Sequence, residues 1–205
     1  MALPATGDAM PNMLSKDRLQ GFFHNMTRQC FGELGIRDAE VTGYVADVLT
    51  EFARSDRLFR VRSRRHHRLE SVVEMLADEQ AVLPDGNPAF AGENTLMRER
   101  RFRKYLGDYT LFMSGVFRSH VERGGYLDYY IREGSRSYMK VSEVDLSLYR
   151  TGFLLYQELS EKFEYFSGAL DYMHKAYFAD APKKDPFSGF LKQIEGWMKV
   201  NVTEN

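Results

Sequence analysis

Residues 149–177 read YRTGFLLYQELSEKFEYFSGALDYMHKAY, and the spacing of their large side chains decides the fold class. Tyr149, Phe153, Tyr156, Leu159, Phe163, Phe166, Leu170, Met173 and Tyr177 step by 4, 3, 3, 4, 3, 4, 3 and 4 residues. Positions three and four apart share one face of a 3.6-residue helix, whereas a strand would alternate at every second residue. The rhythm predicts one long central helix over about 142–178, with Ser142 ahead of Asp145 as its capping start. Glu158 stands four residues before Lys162, and Asp171 four before Lys175. Acid-then-base pairs of that kind support a helix by about 0.2–0.5 kcal/mol each.

The same periodicity extends outward from this stretch. Leu19, Phe22, Phe23, Met26 and Cys30 form a first stripe, and Val41, Val45, Val48, Leu49 and Phe52 a second. Between them Gly35 suits a helix end and Asp38 a helix start. Leu69, Val72, Val73 and Leu76 predict a third helix. Phe102, Leu106, Tyr109, Met113, Val116, Phe117 and His120 predict a fourth, stopped by Gly124 and Gly125. A shorter helix is expected over Tyr126 to Tyr138, with Gly134 weakening it, and a final one over Phe187 to Val200. Only Phe59-Arg60-Val61-Arg62 alternates like a strand, and it is too short to need a sheet.

Proline placement agrees with this division, because a proline inside a helix costs about 3 kcal/mol. Pro4 and Pro11 fall in the N-terminal tail, Pro84 and Pro88 with Gly86 and Gly92 mark a loop at about 84–93, and Pro182 and Pro186 flank a late link. The expected organisation is a disordered tail at 1–13 and a single helical domain at 14–205. With no fixed-period repeat, the expected fold is all-α: a single compact bundle of about six to seven helices.

Composition agrees with a folded, soluble chain. Of its 205 residues 43% are hydrophobic and 28% charged, with a net charge of −1, which is the balance of an ordinary globular domain. The single cysteine, Cys30, can form no intramolecular disulfide and suits a reducing compartment. The first residues show neither a basic segment nor an apolar run of the secretory kind, and no stretch is apolar enough for a membrane span. The expected location is the cytoplasm, with no membrane partner.

Charge is unevenly placed. Arg54, Arg57, Arg60, Arg62, Arg64, Arg65 and Arg68 stand against one acid, Asp56, and a second basic cluster follows at Arg98, Arg100, Arg101, Arg103 and Lys104. Residues 141–180 instead hold seven acids against three bases. Guanidinium groups present paired donors that match phosphate and carboxylate oxygens, so the eleven arginines are the candidate partner-binding residues. The plain alternative is a solvated surface, or salt bridges to the acidic half of the same chain. Nucleic acid is a less favoured partner, since the chain is not basic overall and shows no nucleic-acid-binding signature.

Other chemistry is thinly represented. No P-loop, Gly-x-Gly-x-x-Gly or nucleophile-elbow motif occurs, and no cofactor is expected. A dinuclear metal bundle needs two Glu-x-x-His pairs, whereas this chain offers only Asp171-x-x-His174, with His120 on another helix. His120, Asp171 and His174 are therefore the alternative metal set. Cys30 lies on an apolar stripe, the setting of a small buried thiol. Eleven of the 12 tyrosines lie between Tyr105 and Tyr177, and Tyr109, Tyr149 and Tyr156 either line a polar-tipped cavity or pack the core with bonded hydroxyls.

The run Tyr105-Leu106-Gly107-Asp108-Tyr109-Thr110-Leu111-Phe112-Met113-Ser114-Gly115-Val116-Phe117, with Arg98-Glu99-Arg100 before it and Asp128-Tyr129-Tyr130 after it, resembles an uncharacterised bacterial all-helical family. The resemblance implies a bacterial origin and carries over no activity or catalytic residue. From the residues themselves, Gly107 and Gly115 either let a neighbouring helix approach closely or break the helix near Gly107. The leading functional expectation is a non-enzymatic interaction or regulatory protein that presents its arginines to an acidic or phosphate-bearing partner, with a homodimer left open. The alternative is a metal- or small-molecule-dependent enzyme with a site inside the bundle.

Overall fold

Gly35 and Asp38 act as their residue types predict. The first helix, α1 (Lys16–Glu33), ends where Gly35 takes φ 79° and the Ile36 amide reaches back to the Phe31 carbonyl at 2.8 Å. The second, α2 (Ala39–Ala53), starts where an Asp38 carboxylate oxygen accepts the Glu40 and Val41 amides at 2.8 and 2.9 Å. A computed structural model describes residues 16–53 and 95–178. The N-terminal tail, the 54–68 arginine segment with its strand-like 59–62, the helix expected at 69–76, the loop at 84–93 and the helix expected at 187–200 lie outside the described residues.

Among the described residues there are seven helices and no strand. After α1 and α2 come α3 (Thr95–Val116), α4 (Arg118–Arg123), α5 (Leu127–Ser147), α6 (Phe153–Glu161) and α7 (Phe163–Phe178). They pack as a helical bundle in which α3 lies against α5 and α7, α1 against α2 and α7, and α5 against α6. No described helix is long and apolar enough to cross a membrane.

The stretch 142–178 is not one long helix. It comprises the end of α5, a turn at 148–152, α6, a kink at Lys162, and α7. Tyr149 turns left-handed at φ 54° and ends α5, and Lys162 leaves helical geometry at φ −112°, ψ 23°. The 3–4 rhythm survives because the helical bonds resume at once: Lys162 donates to the Glu158 carbonyl, and Phe166 to that of Lys162, each at 3.0 Å. Ser142 starts no helix. It lies within α5 and donates its hydroxyl to the Phe153 carbonyl at 2.8 Å, tying the first turn of α6 to α5. The two surface pairs expected on this stretch are present, Lys162–Glu158 at 2.9 Å and Lys175–Asp171 at 2.7 Å.

The helix at the centre of the bundle is α3. Every residue from Leu106 to Val116 is buried, so this segment has neighbours all round. Three glycines allow that enclosure. A side-chain carbon at Gly107 would lie 2.7 Å from the Tyr138 ring of α5, and one at Gly115 would lie 2.5 Å from Leu170 of α7. Gly134 of α5 faces the Phe163 ring and Thr110 in the same way. α3 runs unbroken through Gly107, and α5 through Gly134, reaching Ser147 rather than stopping near Tyr138. Beside Gly115, the buried Ser167 hydroxyl donates to that of Ser114 at 2.9 Å. The helix expected to run on through His120 is broken at Phe117, φ −110°, ψ 28°, into α3 and α4, and Gly125, at φ 73°, makes the stop before α5. Across the bundle, Tyr165 of α7 donates its hydroxyl to the Leu34 carbonyl at 2.6 Å, satisfying an acceptor at the end of α1.

Candidate functional site

A polar cluster forms where α2, α3, α5 and α6 meet, with Asp108 and Tyr138 buried and Tyr44 and Lys104 half-buried at its edge. Its centre is Asp108, a carboxylate buried in the middle of α3. One of its oxygens accepts hydrogen bonds from the Tyr44 hydroxyl of α2 and, at 2.9 Å, from the Tyr138 hydroxyl of α5. The other accepts Lys104 Nζ, one turn earlier on α3, at 2.6 Å. Tyr156 of α6 completes a triangle of rings, with centroids 5.5 Å from Tyr44 and 6.0 Å from Tyr138. Lys104 Nζ lies 5.0 Å from the centre of the Tyr44 ring, and the Arg100 guanidinium 5.5 Å from that of Tyr156.

One turn toward the start of α3, Arg100 extends this network. Its Nε and Nη2 each donate at 2.6 Å to the two oxygens of Asp145 on α5, a bidentate pair whose acid is only 1% exposed. Arg150, from the α5–α6 turn, stands 3.6 Å from the same carboxylate.

The electrostatics suit structure better than proton transfer. Burial first, and then the Asp108 charge, pushes Tyr44 and Tyr138 well above the usual tyrosine range. Burial also raises Tyr156, with Lys104 opposing it. For Lys104 burial works downward, but the Asp108, Tyr156 and Glu51 charges outweigh it and the net shift is upward. Hydrogen bonding to Asp145 raises Arg100. Each group is thereby fixed in its ordinary neutral-pH form: protonated tyrosines and charged cations around an acid that already accepts three donors.

This arrangement gives a spectroscopic prediction. Tyr44 and Tyr138 hold their protons more tightly folded than unfolded, so their stabilisation is complete below the unfolded value of about 10 and is lost as pH climbs through the folded values. In an alkaline titration followed at 295 nm, these two should stay protonated past that point and ionise together with loss of helical ellipticity. A single step near pH 10 accounting for all 12 tyrosines, with the helices intact, would contradict the geometry.

The residues singled out by sequence fall in several places. Arg54, Arg57, Arg60, Arg62, Arg64, Arg65 and Arg68 lie outside the described residues. Arg98, Arg100, Arg101 and Arg103 lie half-buried on the first turns of α3. Among these, Arg100 turns inward to Asp145, so the pairing with the chain's own acidic half holds for it, and the Arg103 guanidinium sits 5.5 Å from the centre of the Phe102 ring. The alternative metal set does not assemble: among the described residues no group of three His, Cys, Asp or Glu is placed to hold a metal ion. Asp171 pairs with Lys175, His174 stacks on Phe178, and burial followed by the Arg123 charge lowers the pKa of His120. Cys30 is buried, and burial pushes its thiol upward, away from the reactive thiolate.

Of the three tyrosines read as either cavity lining or core, Tyr109 and Tyr156 are buried in the core, and Tyr156 alone joins the cluster. Tyr109 packs in the core against Phe52 and Tyr130, and Tyr149 stands in solvent. Asp108, Lys104, Tyr44 and Tyr138 were not anticipated as a unit. The available signal was an acid in the apolar run 105–117 with a lysine four residues before it, the spacing that joins them on one helix face. Compared with protein-family models, curated proteins and solved structures, the chain shows no significant match.

Proposed function

We propose that this chain is a non-enzymatic, cytoplasmic interaction or regulatory protein whose arginine-rich surface takes an acidic or phosphate-bearing partner. The observation that carries the reading is the composition of residues 54–68, where seven arginines stand against one acid. The polar cluster supports it from the other side. Asp108 already accepts three hydrogen bonds and Asp145 two from the chain's own side chains, so both carboxylates are taken up in holding helices together rather than open to a substrate. The cluster thus serves as a clasp joining four helices, leaving the surface to make contacts.

Labelled inorganic polyphosphate and labelled poly-glutamate, followed by fluorescence anisotropy at low and moderate salt, test the reading. The protein should bind at least one of them, with an affinity that falls as salt rises. Replacing Arg62, Arg64, Arg65 and Arg68 together by alanine should weaken that binding about tenfold or more and flatten its salt dependence. Equal binding by the fourfold variant, with the same salt slope, would remove the arginines from the function.

A further inference from the structure

The corner between α5 and α6 is closed by a residue type that does not suit it. The Tyr149 amide donates to the Leu146 carbonyl at 3.1 Å and the Arg150 amide to that of Asp145 at 2.9 Å, the bond pair that ends a helix through a left-handed residue. At the other two left-handed positions among the described residues stand Gly35 and Gly125, but here stands Tyr149. A tyrosine is strained in this region where glycine is not. Among the described residues burial does not compensate it, because Tyr149 is 96% exposed.

Its surroundings are also apolar and open. Leu146 is 57% exposed, Leu154 is 62% exposed, and Leu148 belongs with them. Four of the ten exposed large apolar side chains among the described residues therefore fall within nine positions of the chain, around one turn. Clusters of this kind mark contact surfaces, whereas scattered single residues do not.

The charge at the corner does not cancel. Both oxygens of Asp145 are engaged by Arg100 at 2.6 Å, yet Arg150, half-exposed, shares the same carboxylate at 3.6 Å. Two guanidinium groups over one acid leave one positive charge in excess, next to an exposed aromatic ring. An apolar surface with one unbalanced cation calls for an apolar ligand with one carboxylate.

We infer that this corner is a docking surface for a segment of an acidic partner protein, whose apolar side chains cover Leu146, Leu148 and Leu154 around the Tyr149 ring while a carboxylate pairs with Arg150. The inference deepens the reading of an acidic partner and rests on it. Among the partners that reading allows, it selects a protein, since a phosphate polymer has no apolar face to lay on three leucines. The strained tyrosine then has a reason: its conformation holds the ring away from its own helix, ready for insertion.

The test starts with the full chain in its own cell, carrying a photo-reactive p-benzoylphenylalanine in place of Tyr149, which keeps an aromatic ring at that position. After irradiation the joined segment is sequenced, synthesised and labelled, and its binding to purified variants is measured. The expected result is an adduct with a segment of another protein that has acidic residues among apolar ones. Tyr149→Gly and Arg150→Gln should each weaken binding of that peptide about tenfold, and Tyr149→Gly should melt at or above the wild-type temperature, so its loss of binding is not loss of fold. No adduct, an adduct between two copies of this chain, an adduct with a segment lacking carboxylates, or binding that neither substitution changes would each overturn the inference. The fourfold arginine variant separates this surface from the first one. If it binds the peptide normally while Tyr149→Gly does not, the corner stands and the 54–68 arginines fail. If the pattern is reversed, the corner falls.

Discussion

Asp145→Ala is expected to lower the free energy of unfolding by about 3–5 kcal/mol, the range for breaking a buried ion pair by removing one partner. The magnitude follows from what remains. Arg100 is 14% exposed and cannot carry its charge into water without leaving the Tyr156 ring, and Arg150 would then face it with no acid between them. Attraction between the partners is not the main quantity measured, because desolvation of a buried pair offsets most of it. The double variant Arg100→Met/Asp145→Leu should therefore recover most of the loss, as both charges leave together. Urea unfolding with an unchanged slope would report both values. A single-variant cost under about 1 kcal/mol would place this pair with solvent-screened surface bridges and contradict its burial.

Gly134→Ala should cost about 2–3 kcal/mol net, although alanine is the better helix former by about 1 kcal/mol. The added methyl would overlap the Phe163 ring and lie 2.5 Å from the Thr110 hydroxyl. The ring cannot yield cheaply: Phe163 is buried, and its centroid is 5.9 Å from that of Tyr138, which in turn donates to Asp108. The strain would thus reach the polar clasp. Gly32→Ala in α1 is the matched control, since nothing lies within 4 Å of the added carbon, and it should stabilise by about 0.5–1 kcal/mol. Equal melting shifts for the two variants would show that close approach is not what Gly134 provides.

The helices were legible in the residues because burial imposes the 3–4 rhythm wherever a rod lies against a core. That rhythm reports which face is covered and says nothing about continuity. Phe153 to Tyr177 reads as one stripe although Lys162 interrupts it, since a one-residue kink shifts the register too little to move the stripe. The turn at Tyr149 left no mark, because a left-handed helix end is recognised by glycine and here the residue is aromatic. For the site, Lys104 and Asp108 were close enough in sequence to be paired on one face. Their partners were not: Tyr44 lies 64 residues from Asp108, and Arg100 lies 45 from Asp145. Contacts across such intervals depend on how the helices pack, which no local pattern encodes.

The enclosure of α3 has a consequence for how the protein is made. Its middle turns emerge from the ribosome well before Tyr138, Phe163 and Leu170, the side chains that cover Gly107, Gly134 and Gly115. Until translation has passed these positions, a rod that is buried on every side in the finished fold has nothing to lie against. Nascent chains halted before residue 163 should consequently be bound by chaperones and cut by protease, and those carried through Phe178 should be resistant.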